Sequence, residues 1–225
     1  MAPAPATGTT QTPVSYTHLF DARLMGTGWD KTGYDASAWT PAIVTNGPGG
    51  KLRGQSYGAP PIVATQILPP AQIRSFSSNS FVYDMGQNAA MIASLKTHGP
   101  AGSVIQIVPA ELTNYDGSIN RGSVGGGIAC WQYTLAGKGE ETWTGRFFYQ
   151  GGRYLHVTLS PPAGSKQLPV LDSLTGVVIQ SALTNVGDFS CASEVFNRTR
   201  TLTRWAQRNN LVSKMCIRDR VMPSP

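Results

Sequence analysis

Residues 154–159 read Tyr154-Leu155-His156-Val157-Thr158-Leu159. Leu155, Val157 and Leu159 alternate with Tyr154, His156 and Thr158, and a period of two sends the two sets to opposite faces of a β-strand. A strand that is apolar on one face needs a second apolar layer against it, which two sheets packed face to face supply. Short apolar runs of the same kind recur at 81–83, 104–108 and 131–135, and 176–179 is the last clear strand. Between them stand His98-Gly99-Pro100-Ala101-Gly102, Asp116-Gly117 and Ala136-Gly137-Lys138-Gly139. Such sequences supply positive φ, or the preset φ of proline, where strands reverse. The region from Asp21 to about Pro162 is therefore expected to be an antiparallel β-sandwich.

The pattern changes after 180. Ser193, then Glu194 and Val195, Thr199, Leu202 and Ala206 at helical spacing, predict a capped amphipathic helix running to about Arg208. A lone helix after a β module either docks on that module or opens a further domain. Its apolar stripe is expected to need cover, with low solubility as the consequence.

Composition limits the alternatives. Of the 225 residues, 40% are hydrophobic and 13% charged, which suits neither extended disorder nor a coiled coil. No apolar run approaches the roughly 20 residues of a membrane span. The formal charge is +6, yet residues 20–191 hold 11 basic and 10 acidic side chains, so the excess lies beyond them. It comes from Arg198, Arg200, Arg204 and Arg208 on the predicted helix and from Lys214, Arg218 and Arg220 after it. Only Trp205 is interleaved with these arginines, so a solvated or interdomain helix face is expected and nucleic acid is not an expected partner. Residues 1–19 are rich in Pro, Ala and Thr with neither a basic nor an apolar leader region, and do not read as a signal peptide.

Chemistry-bearing patterns are sparse. Cys130, Cys191 and Cys216 form no Cys-x-x-Cys pair, which argues against structural zinc and leaves both a Cys130–Cys191 bridge and free thiols open. Glycosidase-type acid and base catalysis needs two carboxylates about 5 Å apart for retention or about 6.5–9.5 Å for inversion. Glu111 and Asp116 are near one another in sequence, but Asp116-Gly117 is a turn pair; Glu140 and Glu141 are adjacent and would face opposite sides of a strand. His18, His98 and His156 accompany no Gly-x-Ser-x-Gly elbow and no metal-ligand spacing. The glycine cluster 122–127 lacks the Lys-Ser or Lys-Thr of a phosphate loop and reads as a plain loop. Trp29, Trp39, Trp131, Trp143 and Tyr149 offer sugar-stacking faces or ordinary packing. No catalytic, cofactor-binding or metal-ligating position is expected.

Several stretches taken together resemble bacterial α-L-rhamnosidases, a family of inverting glycoside hydrolases. Asp21-Ala22-Arg23-Leu24, Gly28-Trp29-Asp30 and Tyr34-Asp35-Ala36-Ser37-Ala38-Trp39 are similar to the end of the family's N-terminal β domain. Pro60-Pro61-Ile62 to Leu68-Pro69, Val82-Tyr83-Asp84-Met85-Gly86-Gln87-Asn88 and Gly99-Pro100-Ala101-Gly102 resemble the start of its lectin-like sandwich. Ala110-Glu111-Leu112, Glu140-Glu141-Thr142-Trp143 and Arg146-Phe147-Phe148-Tyr149-Gln150-Gly151-Gly152-Arg153-Tyr154 match its second half. Gly187-Asp188-Phe189-Ser190-Cys191 and the helix to Asn210 look like the opening of the family's catalytic barrel of paired helices. One departure is Ala90-Met91, where the family often has Gly-Trp.

The resemblance implies a mostly β chain: a non-matching lead over 1–19, the tail of an N-terminal β domain over 20–60, and a lectin-like antiparallel β-sandwich over 61–180. A linker and the first helix of a truncated α/α barrel follow over 181–213, then a non-matching tail over 214–225. Val14-Ser15-Tyr16-Thr17-His18-Leu19 and Lys214-Met215-Cys216-Ile217-Arg218-Asp219-Arg220 resemble translated adapter sequence, so both ends are expected to be foreign. The family's catalytic acids lie in segments that this chain does not match, and no catalytic position is carried over. The expectation is an internal fragment of an α-L-rhamnosidase, inactive alone, meeting rhamnose-containing carbohydrate through the full-length enzyme. The alternative is a stand-alone lectin-like module that binds sugar by Trp or Tyr stacking, with calcium as its possible cofactor.

Overall fold

The computed structural model describes residues 19–26, 28–47, 49–51, 60–124 and 129–212. The 1–18 lead with His18, glycines 125–127 of the predicted loop, and the tail from 213 with Cys216 lie outside the described residues.

In chain order the strands are β1 (Leu19–Asp21), β2 (Ile62–Leu68), β3 (Gln72–Ser77), β4 (Ser80–His98), β5 (Val104–Ala110), β6 (Leu112–Thr113), β7 (Ile119–Asn120), β8 (Trp131–Thr134), β9 (Glu141–Thr144), β10 (Gln150–Ser160) and β11 (Val170–Ser181). The helix α1 (Glu194–Asn210) follows. Between Met25 and Pro60 the described residues form turns and irregular chain, with no strand.

One curled sheet holds nine of these strands in the order β1-β8-β5-β10-β4-β11-β2, with β3 and β9 also paired to β4. The 19-residue β4 makes the curl possible. Along one edge it pairs first with β10 and then with β9; along the other it pairs first with β3 and then with β11. Its two halves thus belong to two layers, and the apolar faces close on each other as a sandwich. Ile105, Ile107, Trp131, Leu155 and Val157 meet Met91, Leu95, Leu174 and Val178 in one buried cluster. Full burial of each such side chain contributes about 1.5–3 kcal/mol. The alternation of 154–159 is realised: Leu155 and Val157 are fully buried, and Tyr154, His156 and Thr158 are half-buried on the other face.

The pairing of β1 with β8 is parallel, so the sheet is not antiparallel throughout. Phe20 stacks flat on Tyr133 there, with ring centroids 5.7 Å apart. The predicted turns carry the expected backbone, with Gly102, Gly117, Gly137 and Gly139 all at positive φ.

The helix departs from its predicted form at its cap. Ser193 occupies the N-cap position, but its side chain makes no cap hydrogen bond. The Asn197 amide instead accepts from Cys191 N–H (3.0 Å) and donates to Cys191 C=O (2.7 Å), tying the incoming chain to the first turn. The apolar stripe faces outward, with Val195 and Leu202 73% and 61% exposed, which agrees with the expectation that it needs cover. The face against the sheet carries Trp205, which packs on the buried cluster, with Arg208 and Asn209 bonded to Gln180 and Ala90.

Candidate functional site

The densest polar constellation lies where β4 bends. Ala89 of β4 pairs with Gly152 of β10 and Asp84 with Tyr154, so 85–88 bulge out opposite Arg153 alone. Gly86 turns the chain at φ +74, a conformation glycine adopts at no steric cost, and its N–H donates to Asp84 Oδ1 at 2.7 Å. Arg153 donates from Nε and Nη2 to the two oxygens of Asp84 at 2.7 and 2.8 Å. That two-pronged bond holds the Asp84 carboxyl below the usual carboxylate range, against the opposing effect of partial burial. Asn88 closes the bulge: its Nδ2 donates to Glu111 Oε1 at 3.2 Å, and its C=O accepts from Asn209 Nδ2 at 3.1 Å. Asn209 Oδ1 in turn accepts from Ala90 N–H at 3.0 Å, so the last turn of α1 is clipped to the bend.

The carboxylates singled out by sequence are each engaged separately. Glu111 is held by Asn88, while Asp116 accepts from Ser118 N–H and Oγ inside its own turn. Glu140 and Glu141 do point apart: Glu140 pairs with Lys96 at the surface, and Glu141 is buried. Burial works to raise the Glu141 pKa. Hydrogen bonds from Ala136 N–H, Tyr133 Oη–H, Gly137 N–H and Lys138 N–H outweigh it, leaving the carboxyl below its ordinary value.

His98 Nδ1 meets Asp172 Oδ2 at 2.9 Å on the surface. His156 Nε2 lies 2.9 Å from Ser80 Oγ, and burial pulls the imidazole pKa down. A serine and a histidine in contact resemble part of a nucleophilic triad, but the strand partners of His156 are Val82 and Val108, and no described carboxylate bonds the ring. Cys130 is a buried free thiol whose pKa burial raises, and Cys191 is an exposed free thiol, so no bridge joins them.

Among the aromatics, Trp131 is fully buried against Phe148, and Trp143 packs on Phe20 and Tyr133. Trp29 and Trp39 remain exposed, 6.5 Å apart, with Tyr34 edge-on to Trp39; Tyr149 is 41% exposed. In the glycine cluster, 122–124 form a single 3-10 turn rather than the start of a helix. At the Ala90-Met91 departure Met91 is fully buried, and a Cβ on Gly176 would stand 2.5 Å from its sulfur, so a glycine on β11 leaves room for the methionine.

A cavity of about 580 Å³ opens between α1 and the chain leaving β11, lined by Gln180, Asn185, Arg200, Arg204, Gln207 and Arg208 among others. Asp188 contacts Arg200 and, at 4.0 Å, Arg204. Arg208 donates to Gln180 Oε1 at 2.8 Å and lies 4.3 Å above the Trp205 ring. This cavity and the β4 clamp were not visible in the sequence, although the regular spacing of Arg200, Arg204 and Arg208 was a partial signal.

The curled sheet has counterparts among known proteins. The bacterial alpha-L-rhamnosidase concanavalin-like domain matches residues 74–180. An α-L-rhamnosidase of Streptomyces avermitilis is 30% identical across 86% of this chain, and one from Formosa agariphila 28% identical across 85%. The chain spans only 18% and 20% of those two proteins. Among solved structures, an α-L-rhamnosidase from Dictyoglumus thermophilum superposes with a TM-score of 0.77 at 32% identity, covering 88% of this chain and 22% of that one. The Streptomyces avermitilis enzyme complexed with L-rhamnose gives 0.73 at 30% identity, covering 86% of this chain and 18% of that one. The sandwich is therefore a concanavalin-like domain of the bacterial rhamnosidase type. Over the 86–88% of its length that is matched, the chain corresponds to part of an α-L-rhamnosidase.

Proposed function

We propose that this chain is the non-catalytic scaffold of an α-L-rhamnosidase, contributing 20–60 as the end of one β domain, 61–180 as the sandwich and 181–213 as the link to a helical barrel. On this reading 1–19 and 214–225 are foreign to the family. The whole enzyme would remove terminal α-L-rhamnose by single displacement, one carboxylic acid protonating the leaving oxygen while a carboxylate activates water on the opposite face. The observation that carries the scaffold role is the engagement of the carboxylates in structural bonds: Asp84 by Arg153, Glu111 by Asn88, Glu141 by Tyr133 and three amides, and Asp172 by His98. Asp84 lines a small cavity of about 150 Å³, but Arg153 holds its carboxyl below the usual carboxylate range, the opposite of what a proton donor needs. The 225-residue protein is expected to release no chromophore from an aryl α-L-rhamnoside above a protein-free blank, and measurable turnover would overturn the proposal.

The exposed Trp29 and Trp39 rings favour a second reading, a sugar-binding module. Calorimetric titration with L-rhamnose, with and without calcium, separates the two: saturable heat marks the module, and its absence marks the scaffold.

A further inference from the structure

We propose that the cavity between α1 and the chain leaving β11 binds a carboxylate-bearing sugar. Arg200, Arg204 and Arg208 recur every fourth residue, which on an α-helix places them on one face, and that face lines the cavity. Three guanidinium groups line it, and among the described residues the carboxylate that contacts any of them is that of Asp188, whose side chain is 83% exposed. Arg208 is the most constrained of the three. Its hydrogen bonds go to the neutral oxygens of Gln180 and Thr65, and its plane is fixed over Trp205. A guanidinium held in place by neutral groups and an aromatic ring keeps its charge available to an incoming anion.

The charge is concentrated. Burial, and then the like charge of Arg204, both disfavour the protonated form of Arg208, and a bound carboxylate relieves the second effect directly. The remaining polar lining is neutral, the amides joined by the hydroxyl residues Ser181 and Thr184. Gln180, Asn185 and Gln207 provide donors and acceptors suited to hydroxyl groups rather than to further charge. A volume of about 580 Å³ lies within the 300–1,000 Å³ typical of small-molecule sites and exceeds what one inorganic oxyanion fills. Carboxylate recognition by guanidinium forks and hydroxyl recognition by amides together specify a uronic-acid sugar or short oligouronate. The site uses none of the carboxylates that carry the scaffold reading, although its lining lies in the segment which that reading makes the link to the barrel.

The test is calorimetric titration of the full 225-residue chain at low salt with trigalacturonate, its neutral counterpart galactotriose, and inorganic phosphate. Saturable binding of the uronate, with none of the neutral sugar, is expected. Arg204→Gln is expected to weaken that binding about ten-fold, the worth of one charge-assisted hydrogen bond. Asp188→Asn, which frees Arg200 and Arg204 from their carboxylate, is expected to tighten it, and this variant decides the matter if Arg204→Gln does not fold. The proposal is overturned by absence of uronate binding, by phosphate or galactotriose binding equally well, or by an affinity that folded Arg204→Gln or Asp188→Asn leaves unchanged.

Discussion

Arg153 is the one residue of β10 that faces the bulge of β4, and Asp84, where that bulge begins, takes both prongs of its guanidinium. The pair fixes the point at which the sheet turns from one layer into the other. Arg153→Ala is expected to cost about 1–2 kcal/mol, the value of a charge-assisted bond discounted for the 41% exposure of the arginine side chain. Urea denaturation at neutral pH checks it.

The same pair makes an acid prediction. The Asp84 carboxyl is depressed in the folded protein, so its contribution is fully present above the unfolded-state value near 4 and is lost as pH falls through the lower folded value. Asp84→Asn is therefore expected to narrow the stability difference between pH 7 and pH 3 relative to the unaltered protein. Parallel denaturation curves at the two pH values measure the difference.

Glu141 and its neighbour Glu140 should respond very differently to the same change. Glu141→Gln places an amide NH₂ among donors at 2.7–3.3 Å and is expected to cost about 2–3 kcal/mol. Glu140→Gln alters only a surface pair with Lys96, with an expected effect within about 0.5 kcal/mol. Thermal melts of the two variants give the comparison.

Two glycines of one turn make a further contrast. A Cβ on Gly137 would lie 2.6 Å from Ala101 N with φ at +74, whereas Gly139, at φ +91, has open space around it. Gly137→Ala is expected to lose at least about 2 kcal/mol and Gly139→Ala about 1 kcal/mol, the latter from backbone strain alone. Equilibrium unfolding distinguishes them.

Asn209→Ala removes both bonds between α1 and the β4 bend. Amide hydrogen exchange in α1 is expected to accelerate about ten-fold while the amides of Leu155 and Val157 keep their protection, because only the helix is released.

How much of this was legible depended on where each side chain finds its partner. The inward set Leu155, Val157 and Leu159, the turn at Asp116-Gly117 and the opposed directions of Glu140 and Glu141 follow from local periodicity and were read directly. The 19-residue β4 was read only at 81–83, because Gly86-Gln87-Asn88 breaks its alternation where the sheet bends. β2 and β3 were not separated as strands by pattern: β3 is exposed at every residue, and β2 at all but Val63 and Leu68. The helix was placed correctly from 194 but its docking face was not. Val195 and Leu202 mark a stripe in need of cover but do not say which face docks; the contacts that hold the helix are the Trp205 ring, the amide of Asn209 and the guanidinium of Arg208, set by partners more than 20 residues away. The arginine-lined cavity was illegible for the same reason: its far wall is formed by the chain leaving β11.

The parallel pairing of Leu19–Asp21 with Gln132–Thr134 bears on the order of assembly. Synthesised from the amino end, β1 leaves the ribosome roughly a hundred residues before its partner and must wait, unpaired, until β8 emerges. β2 at the opposite end of the sheet likewise waits for β11, so both margins of the nascent sheet stay open over a long stretch of synthesis, and local turn formation cannot hasten either closure.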